Sequence, residues 1–379
     1  MNIGLFLGAG ASVPYDKPAT KKFKEMLLGK YPANNFRNHL MTSLLSVPEF
    51  TDIEYVLQAI KDIREFSKSQ GSSFFSHIAK SGFQHQMLAY QTQGYSYDQI
   101  MRELDEINSI LEEEIFRTYS WNHDKDHDLH AVMFELIGVL MKDSERIRIF
   151  TTNYDRAIEE YASENGYQIL DGFRFDASTG RFLWIGRENF HYEDENSYPA
   201  DFDFKKKNIY LYKLHGSLNW KQHKKHGIVK VDFEGKPPDS NFEKDYLIYP
   251  TLSPKDGQEL EPYKTIRDEF IEALEKIDAC VVIGFSFRDH HITEKFRDFV
   301  NRRDSYLIVV SPTAYHDVQK YLLEENIIEE KLGKEITEAG GRAQIKCVNK
   351  HITPNNAYHI AYDDTLIPIQ YYAKISGIS

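Results

Sequence analysis

Apolar residues in this chain fall in short runs that stop abruptly at glycine or polar positions. The first, Ile3 to Leu7, halts at Gly8-Ala9-Gly10-Ala11-Ser12. Beyond Pro14 and Pro18 the spacing over Thr20 to Leu28 predicts a helix, so the chain opens as strand, tight turn, helix. The same alternation returns later. Strands are predicted at Arg146–Phe150, Ile209–Leu214, Ala279–Ile283, Tyr306–Val310 and Gln344–Val348, with helices near 156–165, 291–302 and 314–324. Six strands with helices between them predict an α/β fold, a Rossmann-like doubly wound parallel sheet with right-handed crossovers.

Between these blocks the pattern changes. From residue 35 to 141 apolar residues recur at helical spacing, first in Ile53, Val56, Leu57, Ile60 and Ile63. The spacing repeats in Ile100, Leu104, Ile107, Ile110, Leu111 and Ile115, and a further helical stretch is expected over Leu129 to Leu140. The expected organisation is an α/β body over 1–34 and 142–350, a large helical insertion over 35–141 and a C-terminal extension over 351–379. Segments 171–208 and 221–262 mix Asp, Lys, Pro and aromatics and read as long loops or small β excursions.

Composition narrows the chemistry. The 379 residues carry 46 Lys and Arg against 58 Asp and Glu, a formal charge of −12. That balance opposes whole-molecule attraction to nucleic acid or anionic membrane, while leaving local basic patches open. Two cysteines, Cys280 and Cys347, are too few for a four-Cys zinc site or a disulfide-dense scaffold. Both sit in apolar runs and read as buried thiols. The N-terminal stretch lacks a basic n-region, and no run approaches the ~20 apolar residues of a membrane span. The expectation is a cytoplasmic protein.

In an open parallel sheet, ligands gather beyond the carboxyl ends of the strands. Here those ends carry Gly8–Ser12, Thr151-Thr152-Asn153-Tyr154-Asp155, His215-Gly216-Ser217, Gly284-Phe285-Ser286 and Ser311-Pro312. Glycines let a backbone approach a phosphate, and Ser12 adds a hydroxyl; the alternative is a plain tight turn. Asn153 and Asp155 offer a donor–acceptor amide and a carboxylate, or else cap the next helix. His215 suits a general base near neutral pH, or a structural role at a strand end.

Together, and in this order, the motifs resemble the sirtuin-like superfamily, whose pattern runs GAG-x-S, T-x-N-x-D, a catalytic His in an HG pair, G-x-S and a late strand for the adenosine end. The resemblance implies NAD as substrate and cleavage of its nicotinamide–ribose bond. By that likeness Gly8, Ala9, Gly10, Ala11 and Ser12 would hold the pyrophosphate with Thr152 beside them. Asn153 would position water or ribose, Asp155 the carboxamide, and His215 would act as base. Gly284, Phe285 and Ser286 would meet the far ribose, with Ser311 near the adenine. Cleavage builds an oxocarbenium-like ribose, so a polar group and a base are what such a site needs.

Two departures redirect the expectation. Deacylating sirtuins carry a four-cysteine zinc module after the catalytic histidine, whereas this chain has no cysteine between His215 and Cys280. Val13-Pro14-Tyr15-Asp16 stands where the family has Pro-Asp-Phe-Arg. No zinc is expected, and hydrolysis of NAD replaces deacylation. A zinc-free body with a helical insertion is similar to prokaryotic antiphage-defence NADases, most of all to the sirtuin-like subunit paired with a HerA-type hexameric ATPase. A homo-oligomer is expected from the amphipathic insertion. Two other readings stay open: a module that senses NAD or ADP-ribose, and a metal-dependent nuclease using the His123–His130 cluster. The basic runs Lys205–Lys207 and Lys221–His226 read as solvated loops or a nucleic-acid patch. Arg288 and Asp289, beside His290 and His291, read as the start of a helix.

Overall fold

The computed structural model describes residues 2–15, 17–48, 53, 56–57, 59–60, 63, 94–120, 146–190, 207–232, 241–247, 260–302, 305–323, 335–339 and 343–348. The expected helix over 129–140, the His123–His130 cluster, Lys205, Lys206 and the tail 351–379 lie outside these residues. The chain divides into two compact units. One holds the described residues up to Lys17 and from Tyr119 onward; the other holds those between Pro18 and Thr118.

The first unit is built on an eight-stranded sheet. Its strands are β1 (Ile3–Leu7), β2 (Arg146–Thr151), β3 (Gln168–Leu170), β6 (Asn208–Lys213), β10 (Ala279–Ile283), β11 (Ser305–Val310), β12 (Glu335–Ala339) and β13 (Ala343–Val348). The order is β12-β13-β11-β10-β1-β2-β6-β3. Seven strands run parallel and the edge strand β12 is antiparallel to β13. All six predicted strands are present. The sequence reading missed β3, only three residues long, and β12.

Buried parallel strands need apolar side chains on both faces. The period of two shows it: Phe6, Cys280, Val282, Leu307 and Val309 enter one core, with Phe270 and Phe296 from helices above. Leu5, Leu7, Val281, Ile283 and Ile308 enter the other, against Ala157, Ile158 and Ala162. The covering helices are Tyr263–Lys276 and His290–Val300 on one face and Ala157–Glu164 on the other.

Two differences from the sequence reading bear on the site. First, Gly8–Ser12 does not open an α-helix: Ala9–Tyr15 is a 3-10 turn, and the helix Thr20–Lys30 falls in the second unit. Second, the segments read as long loops or small β excursions take the latter form and, with β7 running into them, make a five-stranded antiparallel sheet, β4 (Phe173–Asp176), β5 (Arg181–Trp184), β7 (Gly216–His223), β8 (Gly227–Lys230) and β9 (Phe242–Leu247), in the order β4-β5-β8-β7-β9. β7 follows β6 after only Leu214 and His215, and Gly216 takes a φ of 85° to make the corner.

In the second unit the predicted stripes are helical and buried. Ile100, Leu104, Ile107 and Leu111 lie on the helix Tyr97–Tyr119, and Ile53, Val56, Leu57 and Ile60 are buried as well. Glu114 accepts from Lys30 Nζ at 2.8 Å and from the Tyr31 hydroxyl at 2.6 Å, tying the long helix to the first. No helix among the described residues is long and apolar enough to cross a membrane.

Candidate active site

The carboxyl ends of β1 and β10 meet where the strand order reverses, the usual ligand crevice of such sheets. There the two glycine loops bind each other. Gly8 N–H donates to the Ile283 carbonyl at 2.8 Å and Gly10 N–H to the Gly284 carbonyl at 2.9 Å. A Cβ on Gly8 would lie 2.6 Å from the Gly284 carbonyl oxygen, and one on Gly10 2.7 Å from the Gly284 Cα. Gly284 has a φ of 65°, and its own Cβ would lie 2.3 Å from Ala11 N. These glycines therefore serve close packing of backbone on backbone.

A polar network then fastens the first loop to the end of β2. Ser12 Oγ donates to Asp155 Oδ2 at 2.7 Å. Asn153 Nδ2 donates to the Gly8 carbonyl at 3.0 Å and to Ser12 Oγ at 2.9 Å. Thr151 Oγ1 donates to the Leu7 carbonyl at 2.9 Å and accepts from Asn153 N–H at 3.0 Å. Thr152 N–H also reaches Leu7, at 3.2 Å. Asp155 Oδ1 accepts from Ala157 N–H at 3.1 Å, so Asp155 serves the start of the next helix and Ser12 at once. Beneath this loop Lys213, 1% exposed, donates to the Asp155 carbonyl, to that of Tyr154 at 3.4 Å and to Glu159 Oε1 at 2.9 Å.

His215 stands apart from that network, in the corner between β6 and β7. Its ring is 6.5 Å from that of Tyr154. Its Nε2 lies 2.9 Å from Asp289 Oδ2. Asp289 caps the helix His290–Val300, with Oδ1 accepting from Ile292 N–H at 3.2 Å. Burial pushes the Asp289 carboxyl up, but the hydrogen bond and charge of His215 and the Ile292 amide outweigh it and hold it below the ordinary carboxylate range. The backbone leading there is strained: Phe287 has a φ of 54°, held by Thr293 Oγ1 on its carbonyl at 2.9 Å and by packing on Phe285 and Phe296.

His215 and Asp289 line a cavity of about 360 Å³. Leu214, Tyr263, Phe270, Ile271 and Ile292 supply apolar wall. Arg267, Asp268, His291, Glu294 and Lys295 supply charged or titratable groups. The wall is thus mixed, with seven of the twelve lining residues Asp, Glu, Lys, Arg or His.

The predicted site residues thus form two clusters. Gly8, Gly10, Ser12, Asn153, Asp155 and Gly284 are drawn together; His215 belongs to a second cluster with Asp289. Phe285 is core, packed on Phe6 at 4.8 Å between ring centroids. Ser286 is half-buried beyond β10. Ser311 is buried at the end of β11, and its Oγ has no hydrogen-bond partner among the described residues. Ser217 is buried in β7 with Oγ toward the Tyr154 carbonyl at 3.4 Å. Lys221 and His223, read as part of a solvated basic run, are buried in β7. Sequence reasoning placed Asp289 at a helix start and missed its bond to His215. Among the described residues no group of three or more His, Cys, Asp or Glu is placed to hold a metal ion.

Residues 147–329 match the family model of the SIR2-like domain. This SIR2-like span runs from β2 past the π-helical turn Val318–Leu322 and holds Asn153, Asp155, His215, Ser286, Asp289 and Ser311, but not Gly8–Ser12. Among solved structures, the chain is similar to a Sir2 homologue mutant–ADP ribose complex, at 11% identity over 100% of this chain and 94% of that one, TM-score 0.40. It is also similar to a Sir2 homologue mutant in complex with 2'-O-acetyl ADP ribose, at 14% identity over 95% and 90%, TM-score 0.39. A Sir2 homolog–NAD complex matches at 12% identity over 100% and 90%, TM-score 0.39. No curated protein matches the chain.

Proposed function

We propose that this chain hydrolyses NAD to nicotinamide and ADP-ribose. One observation carries the reading: a histidine held by a carboxylate at 2.9 Å, lining a cavity of about 360 Å³ within the SIR2-like span. Departure of nicotinamide leaves positive charge on the ribose, and a base then takes a proton from the attacking water or a ribose hydroxyl. His215 is that base. Asn153 spends both Nδ2 hydrogens on Gly8 and Ser12, which leaves Oδ1 to orient water or ribose. Asp155 accepts one hydrogen bond on each oxygen, from Ser12 and from Ala157 N–H, and keeps lone pairs with which to accept from the carboxamide. The orphaned Ser311 Oγ suits a ligand hydroxyl or ring nitrogen at the adenine end. Ser286 faces the far ribose. No step calls for a metal.

Purified protein, alone or in its complex, should release nicotinamide and ADP-ribose from NAD. Asn153→Ala and His215→Ala should each abolish release; full turnover with both replaced would sink the assignment. The reading extends to a role in cytoplasmic antiphage defence, as a homo-oligomer gated by a HerA-type hexameric ATPase, and rests there on the sequence motifs alone. An ungated NADase would deplete its own host. NAD turnover with and without that ATPase tests the gating. A second reading, a sensor of NAD or ADP-ribose, draws on the part Asp155 plays within the fold, bonded to Ser12 and to the start of the next helix. Calorimetry showing nucleotide binding with no turnover in any assembly would favour it.

A further inference from the structure

We propose that Asp289 is a positioning residue for His215, selecting the tautomer in which Nε2 carries the proton and Nδ1 is the basic nitrogen. The inference rests on the proposed hydrolase only for its consequence in turnover; the tautomer itself follows from geometry. An ionised carboxylate can only accept hydrogen bonds. Asp289 Oδ2 lies 2.9 Å from Nε2, so Nε2–H must be the donor. In the neutral ring the lone pair then sits on Nδ1, which has no hydrogen bond among the described residues. The carboxyl stays in its charged form despite burial, as its depressed pKa indicates.

The carboxylate also cannot turn away. Its Oδ1 holds Ile292 N–H at 3.2 Å, so rotating Oδ2 off His215 uncaps the helix His290–Val300. From the other side the chain is fixed by Phe287, held at a φ of 54° by the bond from Thr293 Oγ1 to its carbonyl. His215 itself is fixed by the corner at Gly216. The pair thus joins two separate parts of the unit, the β6–β7 corner and the β10–helix loop, 74 residues apart. Other groups facing the same cavity are Arg267, Asp268, His291, Glu294 and Lys295, and the charge of His291 also favours the ionised Asp289.

Asp289→Asn gives a sharp test. The amide must keep its oxygen on Ile292 N–H to cap the helix, which turns Nδ2 toward His215. Nδ2 is a donor, so Nε2 must lose its proton and the ring must switch to the Nδ1–H form. Ring ¹⁵N shifts of His215 in the full chain, assigned by their loss in His215→Gln, read this directly. We expect the Nε2–H tautomer in the native protein and a switch in Asp289→Asn. Under the hydrolase reading, kcat should fall by about 100-fold or more with KM little changed, and the acidic limb of the pH profile, where the base loses its proton, should move. Asp289→Ser, which retains a capping hydroxyl, serves if Asp289→Asn fails to fold, and should lose the Nε2–H preference. An Nδ1–H ring in the native protein, or unchanged ring shifts in both variants, overturns the proposal. The expected shifts without NAD turnover in any assembly of the native protein leave the positioning role standing and overturn the hydrolase reading instead.

Discussion

Lys213 is the strongest single test of how the first cluster is held. Its side chain is 1% exposed and that of Glu159 is 12% exposed. The ammonium lies 2.9 Å from Glu159 Oε1 and also binds the carbonyls of Tyr154 and Asp155. Lys213→Met keeps most of the apolar stem but leaves a largely buried carboxylate unpaired and two carbonyls short of a donor. Breaking a buried pair from one side costs about 3–5 kcal/mol. The Glu159→Gln partner removes the stranded charge, so the double variant should recover about half of the loss. Urea denaturation of the native protein, both single variants and the double variant closes the cycle. Because the released carbonyls belong to Tyr154 and Asp155, directly after Asn153, NAD turnover by Lys213→Met should fall even where the protein stays folded. A loss under about 1 kcal/mol, with no coupling between the two positions, would refute the reasoning.

The glycines make opposite predictions at two places. Gly284→Ala puts a Cβ 2.3 Å from Ala11 N at a φ of 65° and should cost more than about 3 kcal/mol. Gly29→Ala, with nothing within 4 Å and helical backbone on both sides, should stabilise by about 0.5–1 kcal/mol. Thermal melts decide both, and equal effects at the two sites would be a clear failure. The depressed Asp289 carboxyl contributes stability that is present above the usual carboxylate pKa of ~3.9 and lost as pH falls below it. Asp289→Asn should flatten that acid limb of a stability–pH curve; an unchanged limb assigns it to other carboxylates. Burial raises both thiols, that of Cys347 to about 12, so neither should be alkylated in the native protein at pH 8. Labelling at the rate of an unfolded control would contradict the buried strands β10 and β13.

Much of the fold was legible because buried parallel strands are nearly all apolar. Ala279–Ile283 and Ile3–Leu7 were read with their observed bounds for that reason. The five-stranded sheet was not, since its strands mix charges with aromatics. Lys221 looked solvated beside Lys224 and Lys225, yet it is fully buried in β7. Gly8 and Gly10 read as sites of close approach to a phosphate; in the structure the backbone of Gly284 lies against them. Asn153, Asp155 and Ser12 were found as a set through their spacing at strand ends. Asp289 was found only as a helix cap. Its second bond spans 74 residues, and no local pattern encodes a partner at that distance.

The central claim is hydrolysis of NAD at His215. Its most direct measurement is the release of nicotinamide and ADP-ribose from NAD by the purified chain, alone and with the hexameric ATPase, beside His215→Ala under the same conditions. The account predicts release in at least one assembly of the native chain and none from the variant. Equal release by the variant, or nucleotide binding without release in every assembly, would contradict it.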